Sequence, residues 1–459
     1  MMQSMAVVLL SGSLLGSILV APSCSSHEGE HAPGVLLAAP NATAANQPNA
    51  PSSAPPAAAD TGFPAPQTTP KSVADPAASG AEKSPAPSAA GTAGRENPPT
   101  STAGSAKAID PAFEVALASE FVHRPAGVLA WLDEHAKEVA SSRAGSWKSL
   151  ALAVKGADVE ARAEFAKLEI ANGSGPESEL VQQILAGDAP HARSAASGKS
   201  SLIADAARLA LTERAGRKAL EQGRLREAAE CFSTLLLAEV RSPWRSEPSS
   251  LQDWSEALRR AQAGWQWSRR GEWLGIEVKV EPADSLIAIR KRVLKEHPEL
   301  CLCTGLIARA NELKGETIQP GQVLRLPTAR PSMLVDLDAR WAFYLLGDVV
   351  AAAWPVGVGK PGSETPPGDY TVGDKSNRPM WFPPGQAPVP FGDPKNPLGT
   401  RWIEWVSQGG TKLHLGFHGT RDPESIGQDE SQGCVRMLNR HVEELYEILP
   451  VGAAIHVQP

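Results

Sequence analysis

Near the C-terminus two side chains of complementary chemistry, His418 and Cys434, stand sixteen residues apart. An imidazole that takes a thiol's proton turns the sulfur into a nucleophile for acyl transfer. The surroundings of the cysteine, Ser431-Gln432-Gly433-Cys434-Val435-Arg436-Met437, fit that chemistry. Gly433 leaves the space beside the sulfur open, so a substrate carbonyl can approach the local backbone N–H groups. Arg436 can hold a carboxylate through a forked pair of hydrogen bonds, and its positive potential favours thiolate. Most single cysteines are small core residues, so the argument rests on these neighbours rather than on the sulfur alone.

The elements that must carry these groups are β-strands. From Ser332 onward apolar residues recur with period two, through Leu334, Trp341, Phe343 and Leu345, and Gly and Pro punctuate the short runs. Lys412 to His418 alternates so that Leu413, Leu415 and Phe417 share one strand face and His414, Gly416 and His418 share the other. A different cluster, His297, Cys301 and Cys303, lacks the two-to-four-residue gap between paired cysteines of structural zinc sites. Buried thiols or a strained disulfide fit it better than a metal.

The segment from 331 to 459 resembles the catalytic domain of the L,D-transpeptidases, the YkuD family. Its pieces appear in the family's order: Pro355-Val356-Gly357-Val358-Gly359, Thr365-Pro366-Pro367-Gly368-Asp369-Tyr370, Asn396-Pro397-Leu398-Gly399-Thr400-Arg401, His418-Gly419-Thr420, Ser425-Ile426-Gly427, and Ser431 through Met437. The resemblance implies a β-sandwich and makes Cys434 the nucleophile and His418 its general base. It gives the Gly419 carbonyl the task of orienting the imidazole and the amides around Gly433 and Cys434 that of the oxyanion hole. Arg436, Gly433, Ser431, Gln432 and His414 would line the substrate. The implied substrate is a peptidoglycan tetrapeptide stem, attacked at its third residue with loss of the terminal D-alanine; the acyl group then passes to an amine, and no cofactor or metal is needed. One position departs from the pattern, because Gln432 stands where the family has His. A Gln donates a hydrogen bond but carries no proton near neutral pH; His414, on the strand face of His418, either compensates or is simply a packed or solvent-facing His.

Upstream, residues 274–328 read as strand, turn, helix and final strand: Val278-Lys279-Val280, a turn at Glu281 to Asp284, a helix from Ser285 to Lys295, and Val323 to Pro327. This βααβ pattern resembles the LysM family, with its Asp-Ser-Leu helix start, mid-unit Asn311 and Gln319-Pro320-Gly321 turn, and implies a glycan ligand containing N-acetylglucosamine. Residues 109–271 carry helical period, with Val128, Trp131, Leu132 and Val139, then Trp254, Leu258, Ala261 and Trp265. Within them, a hairpin around Gly223 resembles one tetratricopeptide unit, and the region reads as either a protein-binding scaffold or a helical spacer. Cys231 falls on its apolar face as a packed thiol.

Residues 25–108 are rich in Ala, Pro, Ser and Thr and cannot offset chain entropy by burial, so they read as a disordered tether. Ahead of them, the apolar run Ala6 to Ala21 reads as an export signal without the usual basic n-region. It ends at Ala21-Pro22-Ser23-Cys24, which resembles a lipoprotein box with Ala where Leu is usual; acylation of Cys24 and simple cleavage are the two readings. The 459 residues thus divide into several domains, and a net charge of −7 argues against a general nucleic-acid binder. The expectation is a multidomain, exported cell-envelope enzyme. Its rivals are an L,D-carboxypeptidase at the same site, with water as acceptor, and a non-catalytic wall-binding scaffold.

Overall fold

Hydrophobic runs set the architecture in a computed structural model, which describes residues 109–459 except 138–140, 171–174, 189–192, 194–200, 241, 245–247, 270, 272, 274 and 384. The tether, the export signal and Cys24 lie outside the described residues. The region from 111 to 264 forms helices α1 (Pro111–His123), α2 (Val128–Glu134), α3 (Ser141–Lys155), α4 (Asp158–Ile170), α5 (Pro176–Leu185), α6 (Leu202–Glu221), α7 (Leu225–Glu239) and α8 (Pro248–Gly264). Local signals start them where capping chemistry predicts: Asp110 accepts from the Ala112 N–H ahead of Pro111, and Ser201 accepts from the Ala204 N–H at 3.1 Å. The α6–α7 turn falls at Gly223, whose φ of +70° a side chain would disfavour.

The βααβ unit consists of β1 (Gly275–Lys279), α9 (Leu286–Glu296), α10 (Thr304–Ala310) and β2 (Val323–Pro327). Its strands pair antiparallel from Gly275 opposite Pro327 to Lys279 opposite Val323. Buried Asn311 staples helix to strand. Its Nδ2 donates to the carbonyls of Ile307 and Arg325, and its Oδ1 accepts from the Arg325 N–H. Arg292 and Asp284 form a two-toothed pair at 3.0 Å.

The C-terminal strands are β3 (Pro331–Asp336), β4 (Trp341–Leu346), β5 (Val349–Pro355), β6 (Val358–Gly359), β7 (Gly368–Asn377), β8 (Arg401–Ser407), β9 (Lys412–His418), β10 (Asp429–Ser431), β11 (Val435–Arg436) and β12 (Ala454–Gln458), with helix α11 (Asn439–Ile448) before the last. Eight of them make one mixed sheet in the order β11-β9-β8-β7-β12-β3-β4-β5, while β6 and β10 form a small parallel ribbon. The sheet is one continuous surface rather than two separate sheets. It curls so that every one of its strands contributes to a single core with Val442, Leu445 and Ile448 of α11.

Strands β3 to β5 are buried on both faces, which explains their nearly unbroken apolar runs. Met333, Val335 and Tyr344 join the α11 core; Leu334, Trp341 and Phe343 join the core of the helical region. At the sheet's edge, Ser233 of α7 accepts from the Val350 N–H at 2.8 Å, Gln262 of α8 donates to the Val350 carbonyl at 2.8 Å, and Ser255 donates to the Ala353 carbonyl at 3.1 Å. The helices therefore close an edge that would otherwise present unpaired backbone groups.

The βααβ unit also docks on the sheet domain. Gly305 sits so close to α11 that a Cβ there would lie 2.0 Å from the Glu447 carbonyl oxygen. The Cys303 thiol donates to that same carbonyl, and Arg309 pairs with Glu444 at 2.8 Å. His297 turns instead to Glu299, and Cys301 packs in the core outside any disulfide, so the three residues do not converge on a common point. The disulfide expected as one option is not formed; both cysteines remain thiols.

Candidate active site

The site is built across two neighbouring strands. β11 runs parallel to β9, with Val435 opposite Phe417 and Arg436 opposite His418. Cys434 occupies the turn entering β11, half-buried, while His418 ends β9 and is only 4% exposed. The backbone continues the tie beyond the strand, where Met437 N–H donates to the His418 carbonyl at 2.8 Å. Trp402, opposite His418 on β8, stacks on the imidazole with centroids 6.0 Å apart.

The tautomer of His418 follows from its partner. Its Nδ1 lies 2.6 Å from the Gly419 carbonyl oxygen; a carbonyl only accepts, so Nδ1 carries the hydrogen. The lone pair is then on Nε2, the form a general base needs. Burial, helped by the nearby positive charge of Arg436, lowers the imidazole's pKa to about 4, although the Gly419 bond opposes this. The base is therefore neutral and ready at any pH well above that value.

At Cys434 the expected effect of Arg436 is present but is not the largest one. Arg436 does favour the thiolate, as does the Gly416 N–H directed at the sulfur, but burial outweighs both and pushes the thiol up to about 11. At neutral pH the sulfur is thus a thiol and the imidazole neutral, so a nucleophilic sulfur here would have to give up its proton as it attacks. The thiol hydrogen points to the His414 carbonyl, 3.8 Å away.

His414 also sits differently from the alternating pattern. A register shift between β8 and β9 and a φ of +57° place it in an irregularity of the strand. Its ring is exposed and makes no hydrogen bond among the described residues; its backbone carbonyl faces the sulfur instead. Gln432 is likewise exposed and makes no hydrogen bond among the described residues.

Ser431 and Gly433 shape the turn that presents Cys434. The Ser431 hydroxyl, buried, donates to the Cys434 carbonyl at 2.5 Å and accepts from the Gly433 N–H at 3.2 Å. Gly433 has φ +98°, and a Cβ there would meet Leu415 at 3.1 Å. Of the two amides assigned to an oxyanion hole, that of Gly433 is therefore engaged, whereas that of Cys434 makes no hydrogen bond among the described residues. Arg436 pairs through its backbone with Gly357 at 2.8 and 2.9 Å, and its guanidinium lies 4.0 Å from Glu430. Two supports of the site, Trp402 and Asn439, were not singled out from the sequence; the second is bonded to the turn that follows His418.

A pH profile tests the electrostatics. With His418 acting as a general base the active form is the neutral one, so acylation of Cys434 should fall tenfold per unit only as pH drops below about 4. A limb centred near the ordinary histidine value, measured in a pH–rate series, would contradict the buried environment described here.

Residues 330–457 match the family described as the L,D-transpeptidase catalytic domain, YkuD. A relative named "Putative L,D-transpeptidase YqjB" from Bacillus subtilis is 33% identical over 27% of this chain and 69% of its own length. A YkuD relative from Bacillus licheniformis, similarly described, is 30% identical over 32% of this chain and 81% of its own length. Among solved structures, an L,D-transpeptidase from Mycobacterium tuberculosis H37Rv aligns at 17% identity over 31% of this chain and 64% of its own, with a TM-score of 0.24.

Proposed function

The chain belongs to the L,D-transpeptidase family, and from that premise we propose that it is a cysteine acyltransferase acting on peptidoglycan stems. In this reading Cys434 Sγ attacks the carbonyl of the third residue of a tetrapeptide stem while its proton passes to His418 Nε2. The C–N bond to the terminal D-alanine breaks, and the imidazolium returns the proton to the leaving amine. An acceptor amine then attacks the thioester; the C–S bond breaks, and the thiol is regenerated. The observation that carries the reading is the bond from His418 Nδ1 to the Gly419 carbonyl, which frees Nε2 as the base on the strand beside Cys434.

The oxyanion forms beside the unengaged Cys434 N–H, with a second donor supplied by the Gly433 N–H once Ser431 releases it. Arg436 holds the stem's carboxylate. The βααβ unit, LysM-like in its topology and in Asn311, takes the glycan strand. Because it is docked on α11, a bound strand would be held at a fixed offset from Cys434, raising the local concentration of stems. The enzyme works outside the membrane, where this polymer lies. A protein partner of the helical region would have to use faces other than those already packed on β5.

Intact mass of the protein after brief mixing with a purified disaccharide tetrapeptide tests the reading. A thioester adduct on Cys434 that has lost D-alanine is expected; a folded protein with no adduct would overturn it. Gln432 is exposed and unbonded, so Gln432→His should change turnover by less than the roughly 100-fold that a general acid/base contributes. A larger gain in the same product assay would mean that this position carries a proton in the reaction.

A further inference from the structure

We propose that Asn439 is a positioning residue for the catalytic base, clamping the turn whose carbonyl fixes the imidazole of His418. The inference rests on the acyltransferase reading above and adds a residue to it. Asn439 is the first residue of α11, five positions beyond Cys434. Its Nδ2 donates to the Thr420 carbonyl at 2.9 Å, and its Oδ1 accepts from the Thr400 N–H at 3.2 Å. Those two backbone groups flank the Gly419 peptide, whose carbonyl accepts the His418 Nδ1 hydrogen.

The amide of Asn439 is seated between two glycines. A Cβ on Gly419 would lie 2.1 Å from its Oδ1, and one on Gly399 would lie 2.3 Å from the same atom. Neither glycine could be replaced while the amide stays where it is, which gives a packing reason for Gly in both Asn396-Pro397-Leu398-Gly399 and His418-Gly419. The clamp ties the segment that carries the nucleophile to the turn that orients the base, in addition to the short β9–β11 pairing.

A rival explanation is that Asn439 merely starts the helix. Its bonding argues otherwise. Leu438 is the N-cap of α11 and makes no side-chain cap bond, and both hydrogen bonds of the Asn439 amide leave the helix for residues 400 and 420. A side chain used for capping would accept from N–H groups of its own first turn. When the clamp is lost, the Gly419 carbonyl can swing, and the imidazole loses the acceptor that selects its tautomer. Misplacement of a reacting group by about 1 Å can cost roughly 100-fold.

The test uses the full chain with p-nitrophenyl acetate, an activated ester that acylates the thiol and releases nitrophenolate without needing a peptidoglycan stem. Saturating acylation rate and half-saturation are measured together with the 15N shifts of the His418 ring, assigned by their loss in His418→Gln. Asn439→Ala, folded by circular dichroism, should acylate about 10–100-fold more slowly at saturation with little change in half-saturation. Its ring shifts should move from the Nδ1–H tautomer toward an average of the two. Asn439→Asp keeps the acceptor and loses the donor, so it should change both readouts in the same direction; it decides the question if the alanine variant does not fold. A folded variant with the wild-type tautomer overturns the proposal, whatever its rate. Should wild-type acylation prove independent of His418, the acyltransferase reading fails by that result, while the tautomer still reports on Asn439.

Discussion

Cys434→Ala should abolish transfer, with turnover on tetrapeptide stems falling by roughly 10⁴–10⁶-fold, the scale of losing a covalent nucleophile. Nothing near the sulfur could replace it: the Ser431 hydroxyl is buried and engaged on both sides, and the exposed His414 and Gln432 face solvent. The substitution removes one atom from a half-buried turn held by Ser431 and by the strand pairing, so the fold should persist. Thermal unfolding of the variant alongside product analysis checks both halves. Substantial turnover by a folded Cys434→Ala protein would place the chemistry elsewhere.

The second large effect concerns the base. With the thiol at about 11 and the solution at pH 7, only about one molecule in ten thousand carries a thiolate unless a base acts during attack. In the proposed mechanism His418 removes that dependence, its Nε2 taking the proton as the bond forms. His418→Ala should therefore slow acylation by about 10²–10⁴-fold and change the shape of the pH profile. The flat region of the wild type should become a rise of tenfold per unit through neutral and alkaline pH, following the rare thiolate. A variant that keeps a flat profile would show that another group accepts the proton.

How much of this was legible beforehand differs by element. The helical region was legible from apolar spacing at 128–132 and 254–265, and the turn at Gly223 from its glycine, because apolar period and φ preference are local properties. The βααβ unit was legible for the same reason, with β2 at Val323–Pro327 as read from the sequence. The sheet domain was read as a sandwich with period two, but β3 to β5 are covered on both faces, and that depends on helices a hundred residues away. Ser233, Ser255 and Gln262 carry no local sign that they close a sheet edge.

At the site the residue types were legible and the environment was not. Sequence neighbours gave Arg436 its direction, favouring the thiolate; burial, a tertiary property invisible in the sequence, outweighs it. Strict alternation put His414 on the face of His418, and the register shift in β9 undid it. Asn439 was missed because its partners, at 400 and 420, are distant in sequence; the signal that could have found it is the pair of glycines at 399 and 419, each needed for a close approach.

The most direct test of the central claim is mass spectrometry of the muropeptides formed when the full chain is incubated with disaccharide tetrapeptide. The account predicts a cross-linked dimer that has lost one terminal D-alanine, absent with the Cys434→Ala protein. Shortened monomers without any dimer would make water the acceptor and contradict a transferase; unchanged substrate in the presence of folded protein would contradict catalysis at Cys434 altogether.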